Sequence, residues 1–219
     1  MNPTFSIIHA SARPNGWLAS HNAWVQNAEA PAAVEYILAC ECRRGFPESY
    51  SYPGVRIIRT EESRTCIESW NTAARQARNQ VLLINSDDMF PCAGWDRKLL
   101  EAIPDLDGEY VVETTSNTPA DEARIMVFQI LTRRRLERIG YVFWPEYESV
   151  SADIEFSEHA RRDGVVIDAR HITIEHRHYA FGTADFDSMY AHQNRPEAYQ
   201  IGDAVLRRRR ESGFSVEMQ

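Results

Sequence analysis

Two adjacent carboxylates, Asp87 and Asp88, follow an apolar run. Val81 to Ile84 (VLLI) leads straight into Asn85, Ser86, Asp87, Asp88 and Met89. Carboxylates there can hold a hard divalent cation, Mg²⁺ or Mn²⁺, which in turn neutralises a diphosphate. The same residue types also make an ordinary solvated turn. A second group is Glu175-His176-Arg177-His178. On a strand, His176 and His178 share one face and Arg177 takes the other. A neutral imidazole can complete the coordination of a metal that carboxylates already hold, provided the fold brings it to Asp88. A third group is Asp153-Ile154-Glu155-Phe156. The helix dipole favours an acid in a first turn, and a carboxylate at the edge of a crevice can act as a general base. Glu146 and Glu148 compete for that role. Arg13 is a candidate partner for phosphate, while Arg59 and Arg64 flank the start of the helix after the third strand. Tyr141, Phe143, Trp144 and Tyr147 offer faces to a sugar ring or to a core.

The elements that must position these groups alternate in type. Phe5 to His9 is a short apolar run that ends in the loop ASARPNG. Trp17, His21, Trp24, Val25 and Ala28 follow at helical spacing. Val34 to Ala39 and Val55 to Ile58 read as further strands. Thr60 and Ser63 are candidate N-caps of a helix with Cys66, Ile67, Trp70, Ala73, Ala74 and Ala77 on one face. Strands alternating with helices predict a mainly parallel sheet flanked by helices. In such sheets ligands bind beyond the carboxyl ends of the strands. The segments ASARPN, CECRR and NSDDM lie there.

The second half is less regular. Tyr110 to Thr115 and Ile125 to Leu131 read as strands. Thr132 and Gly140 bracket a short helix, and Ser151 and Gly164 bracket a longer one. Val165 to Ile167 and Ile172 to Glu175 are strand-like. A polar tail follows Tyr179, with two helical stretches. Pro196 opens the second, which ends near Gly213.

Composition narrows the function. The chain has 219 residues, a net charge of −8 and 43% hydrophobic residues. That is an ordinary globular composition, and the negative charge argues against a nucleic-acid binder. Lys98 is the only lysine, so any single arginine carries less information. The run Arg207 to Arg210 suits a helix C-terminus and also an anionic membrane surface. The apolar runs are too short to span a bilayer. No leader is evident, and four cysteines without zinc spacing fit a reducing compartment. The expected location is the cytoplasm, with at most peripheral contact at a membrane face.

Taken in order, the segments resemble the family-two-type glycosyltransferases of the GT-A fold over nearly the whole chain. FSIIHASARP resembles the family's first strand and nucleotide loop. YILACE resembles its second strand, with an acid at the end. SWNTAARQARNQVLLINSDDM looks like its helix, strand and metal-binding DXD element. PCAGWDRKL, TRRRLERIGYV and SADIEFSEHARRDG follow as in the family. The resemblance implies one α/β domain. Residues 1–115 would form the nucleotide-sugar half, 116–179 the acceptor and catalytic-base half, and 180–219 a helical tail able to act as a lid.

By that resemblance Asp88 matches the last acid of the DXD element and binds the metal. Asp87 matches its middle position, and His176 completes the site, with His178 as the alternative. Ala10, Ser11, Arg13, Glu41, Asn71, Ser86 and Asp87 would meet the nucleotide sugar, and Asp153 would be the base. Ser86 replaces the first acid of a full DXD. Ser11 and Ala12 replace a common Tyr-Asn pair, Cys40 replaces an acid, and alanine precedes Asp153. The implied activity is metal-dependent, inverting transfer from a UDP- or GDP-sugar to a glycan, lipid-linked or small-molecule acceptor. The alternatives are a sugar nucleotidyltransferase, whose Gly-rich loop is missing from ASARPNGW, and a non-catalytic module that binds nucleotide sugars or glycans.

Overall fold

The computed structural model describes residues 4–40, 46–60 and 65–215. Strand β1 (Phe5–Ser11) is buried along its whole length. Phe5 and Ile7 pack with Trp17, Trp24 and Trp95 on one side of the sheet. Ile8 and Ala10 pack with Ile67, Ala73 and Ala74 on the other. Burial on both faces is why this strand reads as a continuous apolar run.

The strands β2 (Val34–Cys40), β3 (Val55–Arg59) and β4 (Val81–Asn85) run parallel with β1. Helices α1 (Trp17–Gln26) and α2 (Cys66–Gln76) cover opposite faces of this half. The remaining strands are β5 (Met89–Pro91), β6 (Val111–Thr115), β7 (Gln129–Thr132) and β8 (Val166–His176). The eight stand in the order β3-β2-β1-β4-β7-β6-β8-β5. Strand β7 is antiparallel to β4 and β6, β8 is parallel to β6, and β5 is antiparallel to β8. The other helices are α3 (Trp95–Ala102), α4 (Arg133–Ile139), α5 (Ala152–Arg162), α6 (Ser188–Gln193) and α7 (Pro196–Glu211). The result is the expected single α/β domain with a mainly parallel sheet. Among the described residues no helix is long and apolar enough to cross a membrane.

Several local expectations change. The cap of α2 is Thr65, whose hydroxyl accepts from Glu68 N at 3.2 Å. Thr60 instead donates to the Cys40 carbonyl at 3.1 Å, and Ser63 lies outside the described residues. The strand expected from Ile125 begins only at Gln129. Arg124 adopts a left-handed φ of 57°, and Ile125 N folds back onto Ala120 O. The two strand-like stretches after Gly164 are one long strand, β8. Strand β5 and helix α3 were not expected. Strand β5 has only three residues and helix α3 only eight, too short for periodicity to mark them.

The tail has two parts with different anchors. Helix α7 is tied to α5 by a buried pair, Arg209 Nε to Glu155 Oε1 at 2.9 Å. Tyr147 OH donates to the other oxygen of Glu155, also at 2.9 Å. Arg208 and Arg210 pair with Glu146 and Glu158, so three members of the arginine run have internal partners. Gly202 lets α7 pass close to the start of α5. A Cβ there would lie 2.7 Å from Val150 O and 3.1 Å from Ser151 Oγ. Alanine favours a helix by about 1 kcal/mol over glycine, yet the overpacking costs about 1–3 kcal/mol. Gly202→Ala should therefore lower Tm by up to roughly 8 °C. A Tm clearly above wild type in thermal denaturation would contradict this close approach.

Candidate active site

Asn85, the last residue of β4, organises the carboxylates after it. Trp24 Nε1 can only donate, and it donates to Asn85 Oδ1 at 3.0 Å. The Asn85 amide nitrogen therefore faces His9 Nδ1 at 2.9 Å and Ser20 Oγ at 3.0 Å. The Tyr36 hydroxyl is 2.6 Å from the same His9 nitrogen. With donors around Nδ1, the ring proton of His9 belongs on Nε2, which donates to Asp87 Oδ1 at 2.8 Å. Asp87 Oδ2 accepts from Arg13 Nη1, also at 2.8 Å. Asp87, expected to touch the metal, thus commits both oxygens to His9 and Arg13.

Asp88 points elsewhere. Its Oδ1 accepts from Ser86 Oγ at 2.5 Å and its Oδ2 from Tyr190 OH at 3.0 Å. His176 Nε2 stands 3.4 Å from Oδ2. Strand pairing brings these two residues together. Met89 of β5 is in register with His176 of β8, and Arg177 N donates to Asp88 O at 2.8 Å. Burial alone would raise the Asp88 carboxyl. The hydrogen bond and charge of His176, with Ser86 and Tyr190, pull it down to about 2. His178 faces a different task. Its Nδ1 accepts from Ala180 N at 3.3 Å and its ring meets Tyr190 at 4.7 Å between centroids.

Asp153 sits in the first turn of α5 and is half-buried. Burial pushes its carboxyl up. Hydrogen bonds from the backbone N–H of Ile154 and of Asp153 itself, and the charge of His176, oppose that. Glu146 and Glu148, the rival bases, pair with Arg208 and Arg195 and do not line the cavity.

One cavity of about 240 Å³ gathers most of the expected groups. Ala10, Ser11, Arg13, Ser86, Asp87, Asp88, Asp153 and His176 all line it. It opens where β1 and β4 end, beyond the carboxyl edge of the parallel half. Phe143 lines it too, while Tyr141, Trp144 and Tyr147 belong to the core. Glu41 and Arg64 lie outside the described residues. Arg59 donates to Pro47 O at 3.2 Å and is not among the lining residues.

Asn71, expected at the nucleotide, is buried and holds the loop before Trp144 closed. Its amide donates to Phe143 O at 2.7 Å, and its Oδ1 accepts from Val142 N at 2.9 Å and Phe143 N at 3.1 Å. Asn71→Ala leaves these backbone groups unpaired, at about 1–3 kcal/mol. Its Tm should fall by roughly 2–12 °C. An unchanged Tm with weakened nucleotide binding would return Asn71 to the site.

Two residues of α6 and its cap were missed. Tyr190 reaches Asp88. Asp187 takes Arg13 Nε at 2.7 Å and Nη2 at 2.9 Å. They lie in a polar tail without hydrophobic periodicity, and the only sequence signal was that Asp187 suits an N-cap.

Among the described residues no three His, Cys, Asp or Glu side chains are grouped to hold a metal. The pair Asp88–His176 still fits a divalent ion bound largely through a ligand's phosphates. It offers a carboxylate held ionised and an imidazole nitrogen, a donor set suited to Mn²⁺ or Mg²⁺.

Sheet order, helix placement and cavity together are those of the GT-A fold. Solved structures with this fold include TarS from S. aureus, 13% identical, with a TM-score of 0.62 over 99% of this chain and 46% of that one. A TarS 1–349 structure in complex with UDP is 14% identical, with a TM-score of 0.60 over 99% of this chain and 75% of that one. The mannosyltransferase PcManGT from Pyrobaculum calidifontis, in complex with GDP-Man and Mn²⁺, is 15% identical. Its TM-score is 0.57 over 96% of this chain and 76% of that one. The chain therefore spans less than half of the longer TarS structure. The sequence matches no family model and no curated protein.

Proposed function

We propose that the chain transfers a sugar from a nucleotide-diphosphate donor, a UDP- or GDP-sugar, to an acceptor hydroxyl with inversion at the anomeric carbon. The observation that carries this reading is the convergence of Asp88, His176 and Asp153 on one cavity. The UDP in one TarS structure and the GDP-Man and Mn²⁺ in PcManGT support such a donor and a divalent ion.

Asp88 and His176 would hold the ion. When bound, Mn²⁺ or Mg²⁺ supplies positive charge against the diphosphate leaving group. Asp87 acts one step back, fixing Arg13 through the chain that runs from Trp24 by way of Asn85 and His9. Ala10 and Ser11 at the end of β1, with Ser86, wall the donor side. The acceptor oxygen forms its bond to the anomeric carbon from the face opposite the diphosphate. The bond to the diphosphate oxygen breaks, and its electron pair leaves with the nucleotide. The acceptor proton passes to Asp153. A carboxylate with a raised pKa takes that proton more readily than an exposed one.

Calorimetric titration with UDP and GDP tests the reading. One of them should bind in the presence of Mn²⁺, and EDTA should abolish that binding. If neither binds with Mn²⁺ present, the donor assignment is wrong. With a turned-over donor, the anomeric configuration of the product, read by NMR, checks inversion.

A further inference from the structure

We propose that Asp187 belongs to the donor site and governs which anion Arg13 accepts: its carboxylate holds Arg13 as a phosphate would, and a donor diphosphate exchanges with it. The proposal rests on the donor reading above.

Arg13 meets Asp187 fork on fork, Nε to Oδ2 at 2.7 Å and Nη2 to Oδ1 at 2.9 Å. Guanidinium groups bind phosphate in the same two-point way. The third nitrogen, Nη1, goes to Asp87. All three guanidinium nitrogens are thus engaged, and a diphosphate that uses Arg13 must compete with one of the two carboxylates.

The two are not held equally. The Asp87 side chain is 11% exposed, and its second oxygen accepts a hydrogen bond from His9 Nε2. The Asp187 side chain is 41% exposed. An ion pair so open to water is a weak one. Asp187 is therefore the partner that a doubly charged ligand displaces.

Displacement does not unmake the local structure. Asp187 Oδ1 also accepts from Met189 N and Tyr190 N, both at 2.9 Å, as the cap of α6. Those bonds persist without Arg13. The same turn presents Tyr190, whose hydroxyl touches Asp88 and whose ring lies 5.2 Å from the Arg13 guanidinium carbon. One short helix therefore touches both charged groups that the donor reading assigns to the diphosphate end.

The charge of Asp187 repels a diphosphate and is indifferent to an uncharged nucleoside. Asp187→Asn removes the charge and keeps an oxygen for the cap. Wild type and variant are titrated with UDP and GDP in the presence of Mn²⁺, and with uridine and guanosine. The diphosphate that binds wild type should bind the variant about three- to tenfold tighter, with nucleoside affinity unchanged. Equal or weaker diphosphate binding by the variant overturns the proposal, as does an equal gain for the nucleoside. If neither protein binds either diphosphate, the donor reading fails and this proposal falls with it.

Discussion

Replacing Asp88 with alanine should abolish Mn²⁺-dependent binding of UDP or GDP, with a loss of at least about 100-fold in affinity. Residues that only support a metal ligand already contribute 10- to 100-fold, and the proposed site has only two protein donors. Asp88 is also anchored from three directions, by Ser86, Tyr190 and His176. Those contacts hold its folded value near 2, below the ordinary 3.8. A depressed carboxyl contributes stability above its ordinary value and loses it as pH falls through the folded one. The contribution is on the order of 2 kcal/mol at neutral pH. Wild type should lose it between about pH 4 and pH 2, and Asp88→Ala should lack it throughout. Denaturant melts at several pH values read the stability, and calorimetry with and without EDTA reads the binding. Binding that survives both Asp88→Ala and EDTA would remove the metal from the reading.

Asp153→Asn should leave donor binding within about twofold and reduce transfer by roughly 100- to 10,000-fold, the usual range for a general base. Its stability should move the other way. Burial raises the Asp153 carboxyl above its ordinary value, so ionising it opposes folding. The stability that goes with its protonated form is lost as pH rises through that raised value. At neutral pH the uncharged asparagine should therefore melt at or above the wild-type temperature. If the proposed transfer holds, kcat of the wild type should fall on the acid side as Asp153 takes up a proton, with a midpoint above that of an ordinary carboxylate. Full transfer activity in Asp153→Asn would exclude Asp153 as the base. Unchanged tight donor binding with no turnover by wild type on any acceptor would favour a binding module.

The two variants separate the halves of the proposal. One tests what grips the diphosphate and the other what activates the acceptor. Both lie on the same cavity, so loss of folding is the shared confounder. The opposite stability effects expected of Asp88→Ala and Asp153→Asn distinguish chemistry from collapse.

Much of the parallel half was legible in the chain itself. β1, β2 and β4 are largely buried on both faces, β3 is a half-buried edge strand, and all four appear as short apolar runs between turn signals. The helical spacing from Cys66 to Ala77 likewise matches a helix whose inner face is Ile67, Ala73 and Ala74. The pair of aspartates after β4 was visible because a polar cluster there must lie at the carboxyl edge of a parallel sheet. Asp153 was visible as an acid in the first turn of an expected helix, although Ser151 makes no side-chain cap hydrogen bond there. What local pattern could not convey was direction. Neighbouring aspartates look alike in a string, yet one side chain turns under β1 to His9 and Arg13 while the other turns toward β8.

Residue order and type alone determined a sheet of alternating β and α units, its polar edge, and the residues with the chemistry to work there. Those follow from short-range periodicity and from the preferences of caps and turns. Tertiary structure alone decided which residues meet. Pairing of β5 with β8 brings His176 to Asp88, and the return of the chain through α6 brings Asp187 to Arg13 and Tyr190 to Asp88. It also made Asn71 a clasp on the loop before Trp144 and turned Arg209 from a surface charge into a buried partner of Glu155. These contacts join residues far apart in the chain. Their energies come from burial and pairing that exist only once the sheet has closed.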